Sequence, residues 1–285
     1  MTDLADFAQR YPRWFVLTGA GVSTDSGIPG YRDDQGQWQR RAPVTVQEFL
    51  RTPAARQRYW ARSMVGWPLL AGAHPNAAHR ALARLEDARR LRALVTQNVD
   101  GLHQRAGSQA VIELHGNVAR VVCLSCGASL SREALQRTLE AENPAFATAA
   151  AAAAPDGDAD IEPAGLEDFR VPACTRCGGT LKPDVVFFGE GVPRDRVEAA
   201  MRALDEADAM LVVGSSLMVY SGYRFCERAA ATGKPIAAIN RGRTRADHLF
   251  ALKVGEPCAD ALAALASVAA VAAALAGDAG RAPGG

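Results

Sequence analysis

Charge of one sign is missing from this chain: 32 Lys and Arg face 31 Asp and Glu, a net +1 over 285 residues. No global field therefore draws it to nucleic acid or to an anionic membrane surface, and any polyanion contact has to be local. An apolar leader is missing too, because residues 1–13 carry acids and lack both a hydrophobic core and the Arg/Ser-rich character of a transit peptide. Retention in the cytoplasm is expected. The one long apolar run, 259–276, contains Asp260 and is mainly alanine, too weakly hydrophobic for a membrane span; a C-terminal helix is expected instead. Cysteine is scarce, but four of the six form Cys-x-x-Cys pairs, Cys123/Cys126 and Cys174/Cys177, with Cys226 and Cys258 standing alone. In a chain that is not secreted, such pairs favour metal over disulfides.

Short apolar runs of strand length are present at Trp14–Thr18, Leu91–Thr96, 111–114, Ala209–Val213 and 235–239, separated by helical stretches such as 77–90 and 194–207. Alternation of this kind predicts a parallel α/β sheet. Between 118 and 181 the pattern breaks: both cysteine pairs lie there, around an alanine-rich stretch at 147–154 and the turn-rich 155–158. The α/β pattern then resumes, so the large domain is expected to be discontinuous, 1–117 with 182–268, around an inserted 118–181 module, followed by a disordered 269–285 tail.

Each cysteine knuckle is followed by glycine (Gly127; Gly178 and Gly179), which lets the backbone turn back beside a metal. Two knuckles complete a four-thiolate tetrahedron, so one structural Zn2+ with no open position for substrate is expected, although the gap between the pairs is longer than in a compact zinc ribbon. The segment GAGVSTDSGIPGYR follows the first strand; Gly19 and Gly21 let a backbone approach a pyrophosphate and Ser23 adds a hydroxyl. It departs from the usual dinucleotide fingerprint, with Thr24 where a third glycine would stand, and a ligand-free tight turn fits the segment equally. His115, just after an apolar strand, sits where an α/β fold presents groups to a crevice; a base and a structural histidine both fit that position.

Taken in order, GAGVSTDSGIPGYR, TQNVDGLH, ELHG, the two Cys-x-x-Cys pairs, LKPDVVFFGE and VVGSSLMVYSG resemble the sirtuin family from about Phe15 to Cys258. The segments YWARSMVGWP, APDGD and SGYRF further resemble its bacterial and mitochondrial-type class II branch. The resemblance implies a Rossmann-like parallel sheet with helices on both faces plus the small zinc-binding module, and NAD-dependent removal of acyl groups from protein lysines. It makes His115 the catalytic base, with Asn98 beside it. NAD contacts are implied at Gly19, Ala20, Gly21, Ser23, Ile28, Tyr31, Arg32, Gln97, Asn98, Asp100, Gly214, Ser215, Ser216, Asn240, Arg241 and Cys258. Two departures stand out: Gly30 where many members have Asp, and Tyr31 where many have Phe. His103 receives no role beyond a local hydrogen bond, and Cys226 is expected in the core.

The same resemblance implies that a substrate backbone inserts as a strand between 184–190 and 214–222, with Val186, Phe187, Gly189, Glu190 and Val219 on the acyl-lysine. Tyr59 and Arg62 match a Tyr-x-x-Arg of succinyl-removing members; on one helix face, an arginine fork would read a dicarboxylic acyl chain, and a surface or structural role is the alternative. Acyl-lysine proteins are the expected partners of a monomer, with no specific nucleic acid and no membrane. Protein ADP-ribosyl transfer at the same NAD site, and a non-catalytic NAD- and zinc-binding sensor, are the competing functions. A hydride-transferring dehydrogenase is disfavoured by the incomplete glycine fingerprint.

Overall fold

All five side chains of β1 (Trp14–Thr18) are buried, and strand alternation sends them into two separate cores. Trp14 and Val16 pack with Phe7, Leu82, Leu85 and Leu262, while Phe15 and Leu17 pack with Leu204, Phe225 and Cys226. A strand apolar on both sides must be covered on both, the condition that yields a parallel sheet between helical layers. Each fully buried Leu, Val or Phe of this kind contributes roughly 1.5–3 kcal/mol. The computed structural model describes residues 3–39, 43–146 and 165–267. The alanine-rich 147–154 stretch, the 155–158 turn and the 269–285 tail fall outside those residues.

The remaining strands of the large sheet are β2 (Leu91–Thr96), β3 (Val111–Glu113), β7 (Ala209–Val213), β8 (Ile236–Ile239) and β9 (Leu252–Val254), in the order β3-β2-β1-β7-β8-β9. Every pairing is parallel. One face is covered by α1 (Leu4–Arg10), α4 (Ala77–Asp87) and the helical residues 258–267, the other by α7 (Arg194–Asp205) and α8 (Tyr220–Ala231). The strand order reverses direction between β1 and β7, the switch point at which such sheets open a crevice. Register sharpens this: Thr18 pairs with Thr96 on one side and Val213 on the other, so three strands end level. The loops at 19–23, 97–101 and 214–218 therefore leave the sheet side by side.

A second sheet, order β5-β4-β6, is antiparallel and built from β4 (Gly116–Cys123), β5 (Ser129–Ser131) and β6 (Leu181–Val185). The boundaries expected at 117/118 and 181/182 fall inside β4 and β6, since both strands run on from the cysteine knuckles toward the large sheet. The small lobe also takes more of the chain than the 118–181 insertion. Phe49 of α2 (Val46–Arg51) and Tyr59, Trp60 and Met64 of α3 (Pro53–Gly72) share one core with Val121, Leu135 of α6 (Arg132–Glu142), Phe169 and Leu181. An amphipathic helix shows in a sequence, but the surface it covers does not. Among the described residues no helix is long and apolar enough to cross a membrane.

Candidate active site

A cavity of about 660 Å³ opens at the carboxyl ends of β1, β2, β7 and β8. Every residue expected to contact the dinucleotide lines it, from Gly19 and Ser23 through Gln97 and Asp100 to Ser215, Asn240 and Cys258. The glycines have a reason beyond a ligand. A Cβ on Gly19 would lie 2.7 Å from the Ser215 Cβ, and one on Gly21 2.9 Å from the Gly214 Cα. The loops after β1 and β7 are thus in backbone contact, tied by Gly21 N–H to Gly214 O at 2.8 Å, and this approach forms the cavity floor.

His115 is held at both ring nitrogens: Nδ1 lies 2.8 Å from the Gln97 carbonyl oxygen and Nε2 2.8 Å from Ser221 Oγ. Burial, opposed by that carbonyl and reinforced by the charges of Arg196 and Arg224, lowers its pKa to about 4, so the ring is neutral at pH 7. Gln97 Nε2 donates to Ser215 Oγ at 2.7 Å, and Asn98 Nδ2 to Ser23 Oγ at 3.0 Å. Ser23 in turn donates to Asp100 Oδ2 at 2.7 Å, whose other oxygen accepts the Leu102 N–H at 2.9 Å. Burial pushes the Asp100 carboxyl upward against these bonds. The result is a strand-edge row of amide, hydroxyl, carboxyl and neutral imidazole groups.

The outer wall comes from loops. Tyr31, Trp38 and Phe188 meet edge-to-face at 5.7–6.5 Å, and the Arg32 guanidinium sits 3.9 Å over Trp38 while donating to Gly36 O at 2.8 Å. Val186, Phe187, Gly189, Glu190 and Val219 all line the cavity. Glu190, expected beside the substrate, is engaged in holding its own turn: Oε2 accepts the Phe187 N–H at 2.9 Å and pairs with buried Lys182 at 3.0 Å. Tyr59 and Arg62 do share α3, but neither lines the cavity. Tyr59 is buried, 5.2 Å from the Phe187 ring and 5.3 Å from Phe49.

At the far end of the small lobe, the sulfurs of Cys123, Cys126, Cys174 and Cys177 lie within 4.8 Å of one another. Cys123 and Cys177 approach to 3.5 Å, and Cys126 and Cys174 to 3.8 Å. Zinc–thiolate bonds of about 2.3 Å put tetrahedral sulfurs about 3.8 Å apart, so the donor set fits zinc. The two knuckles close alike, Gly127 N–H on Cys123 O and Gly178 N–H on Cys174 O, with both glycines at positive φ (69° and 72°). Four thiolates leave no site for substrate, which makes the ion structural.

The Sir2 family model matches residues 19–221, the stretch that contains both the strand-edge row and the four cysteines. The chain belongs to the Sir2 family. An NAD-dependent protein deacetylase of Xanthomonas campestris pv. campestris (strain 8004) is 60% identical over 260 residues, 91% of this chain and 89% of its own. One from Bordetella bronchiseptica is 60% identical over 251 residues, 88% and 92% of the two chains. Among solved structures, a Sir2 homologue mutant in complex with ADP-ribose superposes with TM-score 0.75 at 31% identity over 95% of this chain and 97% of that one. A Sir2 complex with p53 peptide and NAD+ gives 0.74 at 31% identity, covering 93% and 97%.

Around its cleft this Sir2-family chain has a buried layer of which sequence reasoning named only His103. His79 accepts the Asn76 N–H at Nδ1 (3.3 Å), so its Nε2–H points to Ser23 Oγ at 3.4 Å. Its ring lies 4.8 Å from that of His103, whose Nε2 bonds Thr18 Oγ1 at 2.9 Å, the local bond expected there. Burial, the larger cause in each case, lowers the pKa of His79 to about 4 and of His103 to about 3. The available signal was Asn76, a helix cap three residues before a histidine. Ser221 was quoted within a motif, but nothing in the sequence connects it with a residue 106 positions away.

Proposed function

We propose that this chain is an NAD-dependent protein deacetylase, with NAD spent as co-substrate across the strand edge and an acetyl-lysine peptide entering between 184–190 and 214–222. The observation that carries the reading is His115: a neutral imidazole, its Nδ1 proton tied to Gln97 O, beside Asn98, Ser23 and Asp100 at the switch point. It is supported by relatives named as deacetylases at 60% identity. NAD supplies the electrophilic anomeric carbon. The acyl oxygen attacks it as nicotinamide leaves, and His115 takes the proton of a ribose hydroxyl. With one water consumed in cleaving the lysine C–N bond, the products are nicotinamide, free lysine and O-acetyl-ADP-ribose.

Asn98 and Gln97 orient the ribose and carboxamide, and Asp100, its carboxyl pushed upward by burial, meets the nicotinamide amide. Val186, Phe187 and Val219 provide an apolar slot, which accepts acetyl and can take longer apolar chains. Selectivity for dicarboxylic acyl groups through Tyr59 and Arg62 finds no support in their placement, since neither lines the cavity and Tyr59 packs behind Phe187. The test is nicotinamide release from NAD with acetyl, long-chain and glutaryl-type lysine peptides, with His115→Tyr as control. Acyl-dependent release, lost in the variant, is expected. NAD binding without release would favour a sensor, and labelled protein without O-acyl-ADP-ribose would favour ADP-ribosyl transfer.

A further inference from the structure

A backbone carbonyl can only accept, so the 2.8 Å contact of His115 Nδ1 with Gln97 O assigns the ring proton to Nδ1 and the lone pair to Nε2. Ser221 Oγ, 2.8 Å from Nε2, must then be the donor. The ring cannot turn away without losing the Gln97 bond, and the lone pair that a base uses is already filled by the serine proton. A second contact fixes the same arrangement. A Cβ at Gly222 would lie 2.5 Å from Gln97 Oε1, so the start of α8 is pressed onto Gln97 as well as onto His115. Ser221 is the second residue of α8, 8% exposed, and it lines the cavity. While its hydrogen points at Nε2, its oxygen keeps two lone pairs for an incoming hydroxyl.

We infer that Ser221 is a catalytic proton relay: a substrate hydroxyl hydrogen-bonds to Ser221 Oγ, and its proton reaches His115 through the serine. In the step, the substrate O–H bond breaks as a new O–H bond forms on Ser221. The original Ser221 O–H bond breaks as an N–H bond forms at Nε2. Serine is neutral before and after, the substrate oxygen keeps the electron pair, and His115 ends as imidazolium. Burial and the neighbouring Arg196 and Arg224 disfavour that cation, which loses its proton to water as products leave. The inference rests on the reading of His115 as base and adds the route by which the base is reached.

The experiment compares wild type, Ser221→Ala, Ser221→Thr and His115→Ala by two rates on an acetyl-lysine peptide: deacetylation, and exchange of labelled nicotinamide into NAD. Exchange reports binding and nicotinamide expulsion; deacetylation needs the hydroxyl proton removed as well. Ser221→Ala is expected to lower the ratio of deacetylation to exchange by about tenfold or more, within the range of positioned proton transfer, and Ser221→Thr, which keeps a hydroxyl, is expected to recover most of it. An unchanged ratio in Ser221→Ala, whether both rates hold or both fall together, overturns the relay, as does failure of threonine to recover it. If His115→Ala itself deacetylates at the wild-type rate, the base assignment fails first. If that variant is dead while Ser221→Ala keeps the ratio, the relay alone fails.

Discussion

The inner and outer walls of the cleft are made by different means. The inner wall is the level edge of β1, β2 and β7, whose loops are in backbone contact at Gly19, Gly21 and Gly214 and whose polar groups are hydrogen-bonded down to His79 and His103. The outer wall consists of residues 29–39 and 186–191, anchored to the small lobe: Val46 N–H meets Phe188 O at 2.9 Å, and Phe187 shares a core with Phe49 and Tyr59. The inner wall needs the large sheet, whereas the outer wall needs a small lobe whose cysteine centre takes zinc. A folded inner wall beside an unformed outer wall is therefore the expected outcome of losing the metal.

Removing the zinc should break the comparison most visibly. Structural zinc sites contribute roughly 10 kcal/mol or more to the modules they hold, so Cys174→Ala, or a strong chelator, is expected to open the β5-β4-β6 sheet. The sheet β3-β2-β1-β7-β8-β9 should stay protected. Hydrogen exchange read peptide by peptide checks this; equal loss of protection in both sheets would show that the walls are one cooperative unit.

Acid should act on the other wall. His79, His103 and His115 have folded pKa values lowered to about 4, 3 and 4 from 6.5. A depressed folded pKa means that the unfolded chain binds the proton first. Their stability contribution is complete above pH 6.5 and is lost as pH falls toward 4, at up to roughly 1.4 kcal/mol per pH unit for each histidine. Chemical denaturation between pH 7.5 and 4.5 is expected to show this slope, flattened in His79→Asn and unaffected by substitutions in the small lobe. A flat wild-type profile would mean that the inner wall is wetter than its geometry indicates.

The smallest effect is expected at Arg62. Because it does not line the cleft, Arg62→Ala should change turnover of acetyl- and glutaryl-lysine peptides by the same small factor, about twofold or less. A selective loss of the glutaryl substrate would mean that Phe187 moves and that the outer wall opens deeper than the cavity described.

Particular residues show how far the sequence reads. Trp14–Thr18 reads directly as a buried strand entering a glycine turn; the four cysteines with their glycines read as a metal set in preference to free or redox thiols; the residues after Thr18, Thr96 and Val213, assigned to the dinucleotide by resemblance, do line the cleft. Less legible was the extent of the small lobe, because α3 shows only weak amphipathicity and nothing in it points to Val121 and Phe169 as its partners. Glu190 lines the cavity, but its pairing with Lys182 is not implied by spacing.

By itself, then, the amino-acid order determined five of the six strands of the large sheet, their parallel arrangement and the four cysteine ligands, because these rest on local periodicity or short spacings, while the strand-end residues owed their assignment to the resemblance to sirtuins. Tertiary structure alone decided which hydroxyl reaches His115 Nε2, which histidines lie beneath Ser23 and how far Tyr59 stands from the cavity. Those depend on contacts between residues 56 to 128 positions apart, where a shift of an ångström separates a hydrogen bond from none.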